Sequence, residues 1–212
     1  MRTLVHADPA EVHTRLAQLG LQLVHLHDAV LAGEVARNGC TDNDPRILRG
    51  ILAWGRRMRS LRESLIPLGW RSDETDNYST VENGTGSIAI ATCTGDENTG
   101  LLSAIPRTKH RRGPVTGAVI EGNHQQLEFE LFQKTVAAIQ ARPACSTWIL
   151  LVARTSNELQ CELSLPIGQG SNDRIEHWME RILLPSLPLA PVALPVPAPQ
   201  PDIDVTVTRK VG

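Results

Sequence analysis

The chain has few aromatic residues and lacks the short motifs of two large groups of proteins. Phe, Trp and Tyr together make up 3% of its 212 residues, so the core must be built mainly from Leu, Ile, Val and Ala. The sequence contains no Gly-x-Ser-x-Gly nucleophile elbow and no Walker-type phosphate-binding loop. These absences argue against a hydrolase of the nucleophile-elbow type and against a P-loop nucleotide-binding protein.

Cysteine pairs, long apolar runs and a strong net charge are missing as well. The four cysteines contain no Cys-x-x-Cys pair, which argues against a zinc or redox motif and favours a reduced, intracellular protein. No apolar run approaches the roughly 18 residues that span a bilayer, and the first residues have no apolar leader core. The net charge of −2 provides no global attraction to nucleic acid or membrane. We therefore expect a cytoplasmic protein without membrane partners.

Two segments near the N-terminus share a heptad rhythm of apolar residues, which is typical of helices that pair along a narrow face. The first starts at Asp8-Pro9 and is predicted to run as one helix over 9–38, ending at Gly39. The alternative is two shorter helices broken at Gly20. The second starts at Asp44-Pro45 and is predicted to end near residue 66, before Pro67 and Gly69.

The two helices are joined by a short polar turn, so we predict an antiparallel helical hairpin over residues 8–68. The same heptads would also suit a four-helix bundle with a second copy of the chain, and the sequence does not separate these arrangements. The predicted seam, which would then serve oligomerisation, consists of Leu16, Leu19, Leu23, Leu26, Ile51, Trp54, Met58 and Leu61.

After a polar linker over residues 71–86, the pattern changes from helical to strand-like. We predict an α+β fold, with a small, mainly antiparallel sheet and flanking helices over residues 77–184. The predicted elements are a short strand at 78–81, strands at 87–93 and 114–120, a mostly helical segment at 125–140, a β-hairpin formed by 148–153 and 158–165, and a last helix from residue 172 or 173 to Pro185. The glycine-rich turn at 168–173 is then explained as the cap of that helix.

The C-terminal region, residues 185–212, is predicted to be an extended tail. Seven prolines fall within residues 185–201, a density typical of polyproline conformation. Residues 202–210 alternate apolar and polar side chains, which would allow this tip to add to a sheet edge. A tail without fixed structure is the alternative.

A loop over residues 94–114 is the first candidate site, because loops that join strands often carry function. It starts with an acidic turn at 95–100 and ends with a basic cluster. The cluster consists of Arg107, Lys109, His110, Arg111 and Arg112. Clustered cations suit phosphate or an acidic protein surface. The alternative is that the acidic and basic halves of the loop pair with each other.

The second helix carries a row of arginines that would extend this site. They are Arg46, Arg49, Arg56, Arg57, Arg59 and Arg62. Arg49, Arg56 and Arg57 together with the basic cluster form the predicted site for a partner or for nucleic acid. The alternative is that the arginines cover the seam and pair with acids at residues 73–76. Trp54 belongs to the predicted seam, so we expect it to be unavailable for stacking on bases.

Catalytic and metal sites find little support. Acids that would gather around Mg²⁺ in a hydrolase or nuclease are Asp96, Glu97, Glu121, Glu128, Glu130, Glu158 and Glu162. A restriction-type nuclease would show an acid-x-Lys tripeptide, and the chain contains none. His25 and His27 lie two residues apart on a helix and point in different directions. We expect no catalytic residue, no metal and no cofactor.

These patterns favour a non-enzymatic assembly or adaptor subunit of a multiprotein complex, which docks through the hairpin, the basic loop and the tail. Self-association or a protein partner is expected, and a place in a bacterial mobile-element system is a guess from the general character of the sequence. The first alternative is a nucleic-acid-binding protein that uses residues 107–112 and the arginine-rich helix. The second alternative is a metal-dependent hydrolase or nuclease.

Overall fold

The computed structural model describes residues 3–113, 116–123 and 145–189. Within them, helices and one mixed seven-stranded sheet form an α+β fold. The helices are α1 (Pro9–Gln18), α2 (Leu23–Asn38) and α3 (Leu48–Leu65), and residues 116–123 are helical as well. The strands are β1 (Leu4–His6), β2 (Arg71–Asp73), β3 (Thr80–Glu82), β4 (Ile88–Thr94), β5 (Ser146–Arg154), β6 (Glu158–Gln169) and β7 (Ile175–Pro188).

The sheet has the strand order β1-β7-β6-β5-β4-β3-β2. Two neighbouring pairs, β1/β7 and β4/β5, are parallel. The other four pairs are antiparallel. The sheet is therefore mostly antiparallel, as predicted, but larger than the small sheet that we expected.

The start of the first helix follows the sequence signal, but its length does not. The Asp8 carboxylate accepts hydrogen bonds from the backbone N–H groups of Ala10 (2.9 Å) and Glu11 (3.3 Å), and Pro9 occupies the first turn. The single helix predicted over 9–38 is wrong. The chain breaks at Gly20, whose φ of +73° is a left-handed conformation that favours glycine. The alternative of two helices is the observed one.

Helix α3 begins three residues later than predicted. Asp44 does not cap the helix; its carboxylate instead accepts a hydrogen bond from the Thr41 backbone N–H at 2.7 Å and closes the preceding turn. The end is as predicted, because Pro67 lies in a 3-10 turn and Gly69 follows in the left-handed conformation with φ of +91°.

The main hydrophobic core lies where α1, α2 and α3 cover one face of the sheet. Trp148 and Leu150 of β5 point into it, whereas Ile149 and Leu151 belong to a second buried cluster on the opposite face. Four seam residues, Leu16, Leu19, Leu26 and Leu61, are buried in the main core, with Leu23 packed at its edge and Met58 buried nearby. Their apolar contacts are thus made within the chain. Ile51 and Trp54, by contrast, are 49% and 40% exposed.

The central strands confirm part of the sequence analysis. The segment predicted as a strand at 87–93 forms β4, and the predicted hairpin forms β5 and β6, joined by a turn at residues 155–157. The strand predicted at 114–120 is wrong, because residues 116–120 are helical and Ile120 packs on the sheet face opposite to α1–α3. The parallel neighbour of β4 is β5 instead.

The predicted last helix is also wrong, because residues 175–188 form strand β7. Ile175, Trp178 and Ile182 follow a helical spacing, and this spacing is the reason why a helix was predicted here. The strand lies between β6 and β1, and residues 180–184 are buried on both faces. A strand covered on both sides loses the alternation that identifies strands in a sequence.

The predicted linker and the predicted tail both include residues that belong to the sheet. Residues 71–86 contain the short strands β2 and β3, which extend the sheet at one edge. Pro185 and Pro188 lie in β7, beyond the residues that pair with β1, so the missing N–H groups cost no hydrogen bond on that side. Residues 190–212 and the segment 125–140 lie outside the described residues. The boundaries proposed between domains stay a prediction.

None of the helices in the described ranges combines the length and the apolar character that a bilayer crossing requires.

Candidate anion-binding groove

The basic end of the loop between β4 and the helical residues 116–123 is fixed by backbone hydrogen bonds. The Lys109 N–H donates to the Thr94 carbonyl at 2.9 Å, and the Arg112 N–H donates to the Asp173 carbonyl at 2.8 Å. Between them, Thr108 is fully buried and exchanges two hydrogen bonds with Ile175, both at 3.1 Å. The cationic side chains of this loop therefore project from a well-held backbone.

The preceding part of the loop is anchored by a buried ion pair between Arg181 and Glu162. Arg181 contacts both carboxylate oxygens of Glu162, at 3.0 and 2.6 Å, and also donates to the carbonyls of Ala104 and Leu101. Glu162 additionally accepts from the Gly100 backbone N–H at 2.8 Å. This acid, one of the candidate metal ligands, is thus occupied in holding the loop on the sheet.

A basic groove opens between the N-terminal half of α3, the turn before it and the basic end of the loop. Its volume is about 950 Å³, within the range of ligand-binding pockets. Its cationic side chains are Arg37, Arg46, Arg49, Arg57, Lys109 and Arg112, joined by His110. The carboxylates are Asp42 and Asp44, and the apolar lining includes Ile47, Ile51, Trp54 and Cys93. Positive charge is concentrated here although the whole chain has a net charge of −2.

Most of these cations form no ion pair with a carboxylate in the part of the chain that the structure describes. Arg49 forms an ion pair with Asp42 at 2.8 Å. Asp44 is engaged with the backbone N–H of Thr41. Arg37, Arg46, Arg57, Lys109 and Arg112 form no ion pair with any carboxylate of the described residues. The groove therefore has a surplus of positive charge that an anionic ligand would neutralise.

Arg57 forms the floor of the groove and is buried without full satisfaction of its donors. The residue is 5% exposed, and its Nε donates to the Thr92 hydroxyl at 3.1 Å. Its Nη2 has no hydrogen-bond partner among the described residues. Burial lowers the pKa of the guanidinium to about 10, against the opposite influence of Cys93 and Glu34, and the charge of Arg37 adds to the lowering. An anion beside Arg57 would oppose both effects.

Trp54 forms part of the wall, which corrects the expectation that the seam would hide it. The side chain is 40% exposed and borders both the groove and a smaller adjoining cavity of about 220 Å³. Cys93 and Arg112 also border both spaces. Burial raises the pKa of the Cys93 thiol, which keeps it neutral. An aromatic face is therefore available next to the surplus of positive charge.

The groove brings together five of the eight residues predicted for a partner or nucleic acid. These are Arg49, Arg57, Lys109, His110 and Arg112. Arg111 lines the adjoining cavity, Arg107 pairs with Glu176 at 3.2 Å, and Arg56 is exposed away from the groove. Arg37 was missed: it lies in the last turn of α2, and only the contact between α2 and α3 brings it here.

The competing interpretation was that arginines of α3 pair with the acids at residues 73–76. It fits Arg62, which forms an ion pair with Glu74 at 2.6 Å, whereas Arg59 pairs with Glu63 of its own helix at 2.7 Å. The acidic and basic halves of the loop, in contrast, meet through the backbone, where the Asp96 carboxylate accepts from the Arg107 N–H at 3.1 Å. At the C-terminal end of α3 both Arg59 and Arg62 are thus paired, whereas in the groove Arg49 is paired with Asp42 and Arg57 forms no ion pair with a described carboxylate.

Other candidate ligands of metal do not converge. No group of three or more His, Cys, Asp or Glu side chains suited to a metal ion occurs in the described part of the chain. Glu128 and Glu130 lie outside it. The His27 ring hydrogen-bonds to the Pro185 carbonyl at 3.0 Å, and burial lowers the pKa of both His25 and His27.

No protein family, curated protein or solved structure gives a match to this chain.

Proposed function

We propose that the chain is a non-enzymatic nucleic-acid-binding protein whose basic groove holds a single strand. The observation that carries this proposal is the convergence of six cationic side chains against two carboxylates in one concave surface. Neutralising phosphates with such side chains releases counterions and supplies most of the affinity of non-specific nucleic-acid binding.

Trp54 supports a single strand over a duplex. Proteins that bind single strands combine a positively charged groove with aromatic side chains on which unpaired bases stack, and each such base contributes about 1–3 kcal/mol. The bases of a duplex are already stacked on each other and are not free to contact a tryptophan in a groove wall. The groove offers both elements, the cations and a ring that is 40% exposed.

An assembly subunit remains the second candidate, and an exposed apolar surface at the start of α3 supports it. Ile51 of the seam is 49% exposed at the groove, and Ile47, four residues before it, is 71% exposed. A protein segment with acidic and apolar side chains would complement them. The five other seam residues that are fully buried already pack within the chain, so this candidate depends on a shorter apolar surface than the sequence suggested.

The test is fluorescence anisotropy of the full chain with a labelled 20-nucleotide single strand and the matching duplex, over a series of salt concentrations. We expect tighter binding of the single strand and an affinity that falls steeply with salt. The variant Arg46→Glu/Lys109→Glu changes two unpaired cations of the groove and should weaken binding at least tenfold.

The matched control is Arg56→Glu/Arg59→Glu, which changes the same number of charges on the surface of α3 outside the groove. It should stay within threefold of the unmodified chain. Equal losses in the two variants, or binding that does not respond to salt, would overturn the proposal. A failure to bind any strand, together with a concentration-dependent oligomer that Ile51→Asp dissolves, would favour the assembly subunit instead.

A further inference from the structure

We infer that the floor of the groove recognises a terminal phosphate, held by Arg57 and Arg112, with the adjoining base against Trp54. This inference rests on the proposed function and adds to it the part of the strand that is bound. The ligand would be the phosphorylated end of a single strand, or a free mononucleotide with the same chemistry.

The first argument is the state of Arg57. A buried N–H group without an acceptor costs about 1–3 kcal/mol, more when the group is charged, and a buried cation is normally paired. Arg57 is 5% exposed, its Nη2 has no partner, and no described carboxylate forms an ion pair with it. The side chain borders the groove. An anion that enters the groove to its floor would satisfy both the charge and the free donor.

The second argument is that Arg112, which is half-buried and contacts the Cys93 thiol, brings a second guanidinium to the groove from the loop. Its Nε is buried and also has no hydrogen-bond partner. Its backbone is fixed by the bond to Asp173, so the side chain starts from a defined position. Two guanidinium groups with free donors suit an acceptor with several oxygens, because each guanidinium binds phosphate through two parallel N–H···O bonds.

The charge balance favours a monoester over an internal phosphodiester. A phosphate monoester carries about −1.5 to −2 charges at pH 7 and presents three terminal oxygens. An internal phosphodiester carries one charge, offers two free oxygens and has a sugar on each side. Arg57 lies almost wholly beneath the surface, so a terminal phosphate can reach it end first. An internal phosphate could reach it only if the strand entered the floor of the groove and left it again.

The position of Trp54 relative to Arg57 sets the size of the ligand. The two residues lie three positions apart on α3 and therefore share a face, with Cβ atoms about 5–6 Å apart. A nucleotide whose phosphate lies at Arg57 would have its base near the exposed ring of Trp54. The cations nearer the mouth, Arg46 and Lys109, are then left for the following phosphates of the strand.

The experiment compares three versions of one labelled single strand, with a 5′-phosphate, a 3′-phosphate or hydroxyl groups at both ends. We expect one phosphorylated end to bind at least tenfold tighter than the hydroxyl strand. Arg57→Met and Arg112→Met should each abolish this preference, so that each variant binds the three strands with equal affinity. Arg57→Lys keeps the charge without the planar fork and should reduce the preference. Circular dichroism verifies that each variant is folded.

The mouth variant Arg46→Glu/Lys109→Glu separates the two proposals. It should weaken binding of all three strands and keep their ratio. Equal affinities for the three strands in the unmodified chain, with the salt dependence intact, would overturn the inference and leave the proposed function standing. A preference that persists in both floor variants would also overturn it.

Competition by a nucleoside monophosphate and by inorganic phosphate completes the design. Displacement of the phosphorylated strand by the monophosphate, lost in Arg57→Met, supports the floor as a phosphate site. If the monophosphate binds through Arg57 while no strand binds, the floor is confirmed for a free nucleotide and the proposed function falls. If neither strand nor monophosphate binds, both proposals are overturned.

Discussion

Two arginines are buried to nearly the same extent, but they differ in the number of hydrogen-bond and ion-pair partners that the surrounding protein provides. Arg181 is 3% exposed and donates to both oxygens of Glu162 and to two backbone carbonyls. Arg57 is 5% exposed, donates to one hydroxyl and has a free Nη2. One guanidinium has all the partners that burial requires, and the other does not.

The difference separates a structural charge from one available to a ligand. Glu162 and Arg181 are consumed in fixing residues 100–104 onto the sheet. Arg57 lies at the floor of the groove, and no carboxylate of the described residues forms an ion pair with it. Burial alone therefore says little about function, whereas burial combined with a missing partner points to a ligand.

The largest loss of stability should come from breaking the buried ion pair between Arg181 and Glu162. Arg181→Met leaves the Glu162 carboxylate buried without its counter-charge, and removing one partner of such a pair costs about 3–5 kcal/mol. Urea unfolding followed by circular dichroism measures the change in the free energy of unfolding. The control is Arg59→Met, which removes an ion pair whose side chains are both 61% exposed and should cost less than about 0.5 kcal/mol. A loss below about 1 kcal/mol for Arg181→Met would show that the pair is not the anchor described above.

The next effect tests how tightly the floor arginine is packed. A Cβ at Gly33 of α2 would lie 2.6 Å from Cγ of Arg57 and 2.8 Å from the Ala53 carbonyl. Gly33→Ala should therefore separate α2 from α3 and destabilise the fold by about 1–3 kcal/mol. Gly55→Ala is the matched control, because no atom lies within 4 Å of the new methyl group in α3 and helix propensity stabilises alanine by up to about 1 kcal/mol. Similar thermal midpoints for the two variants would contradict a close α2–α3 contact at Arg57.

The start of α1, the end of α3 and the central strands were predictable because local chemistry determines them. Asp8-Pro9 starts α1 and Pro67-Gly69 ends α3, since capping and proline geometry act within a few residues. The failures arose where the tertiary structure overrides local pattern. Residues 175–182 have a helical spacing of apolar residues, yet they pair with the neighbouring strands β6 and β1 as part of β7.

The candidate site was predictable in its components and not in its assembly. Clustered cations mark Lys109, Arg112 and Arg57 in the sequence without any structure. What the sequence does not contain is the approach of the loop to the N-terminal half of α3, which depends on pairing between distant segments such as Thr108 with Ile175. The same long-range packing brings in Arg37 and leaves Trp54 exposed, so neither role follows from the heptad pattern.

Removing the charge of Arg57, which forms no ion pair with a described carboxylate, should change the free energy of unfolding less than Arg181→Met does, and it should not destabilise the fold strongly. Arg57→Met keeps the aliphatic part of the side chain and removes a buried cation, a change that is often neutral or stabilising. We expect the free energy of unfolding in urea to stay within about 1 kcal/mol of the unmodified chain or to rise. A loss as large as that of Arg181→Met would erase the distinction between the two arginines. Repeating the titration with the phosphorylated strand should stabilise the unmodified chain more than the variant.

The smallest effect concerns His27, a titratable group that is partly buried and has a single backbone partner. Burial lowers its pKa, so the folded state favours the neutral ring, which donates to the Pro185 carbonyl. As the pH falls below the ordinary histidine pKa of about 6.5, the unfolded chain gains a proton before the folded one, and the contribution of His27 to stability is lost. His27→Gln keeps an N–H donor without this titration, so its urea midpoint should fall less than that of the unmodified chain between pH 7.5 and 5.5. Between pH 7.5 and 8.5, where the ring is neutral in both states, the two proteins should change alike. Parallel curves over the acidic range as well would mean that burial does not hold the His27 ring neutral in the folded state, and that His27 resembles Arg181, whose charge is compensated, more closely than Arg57.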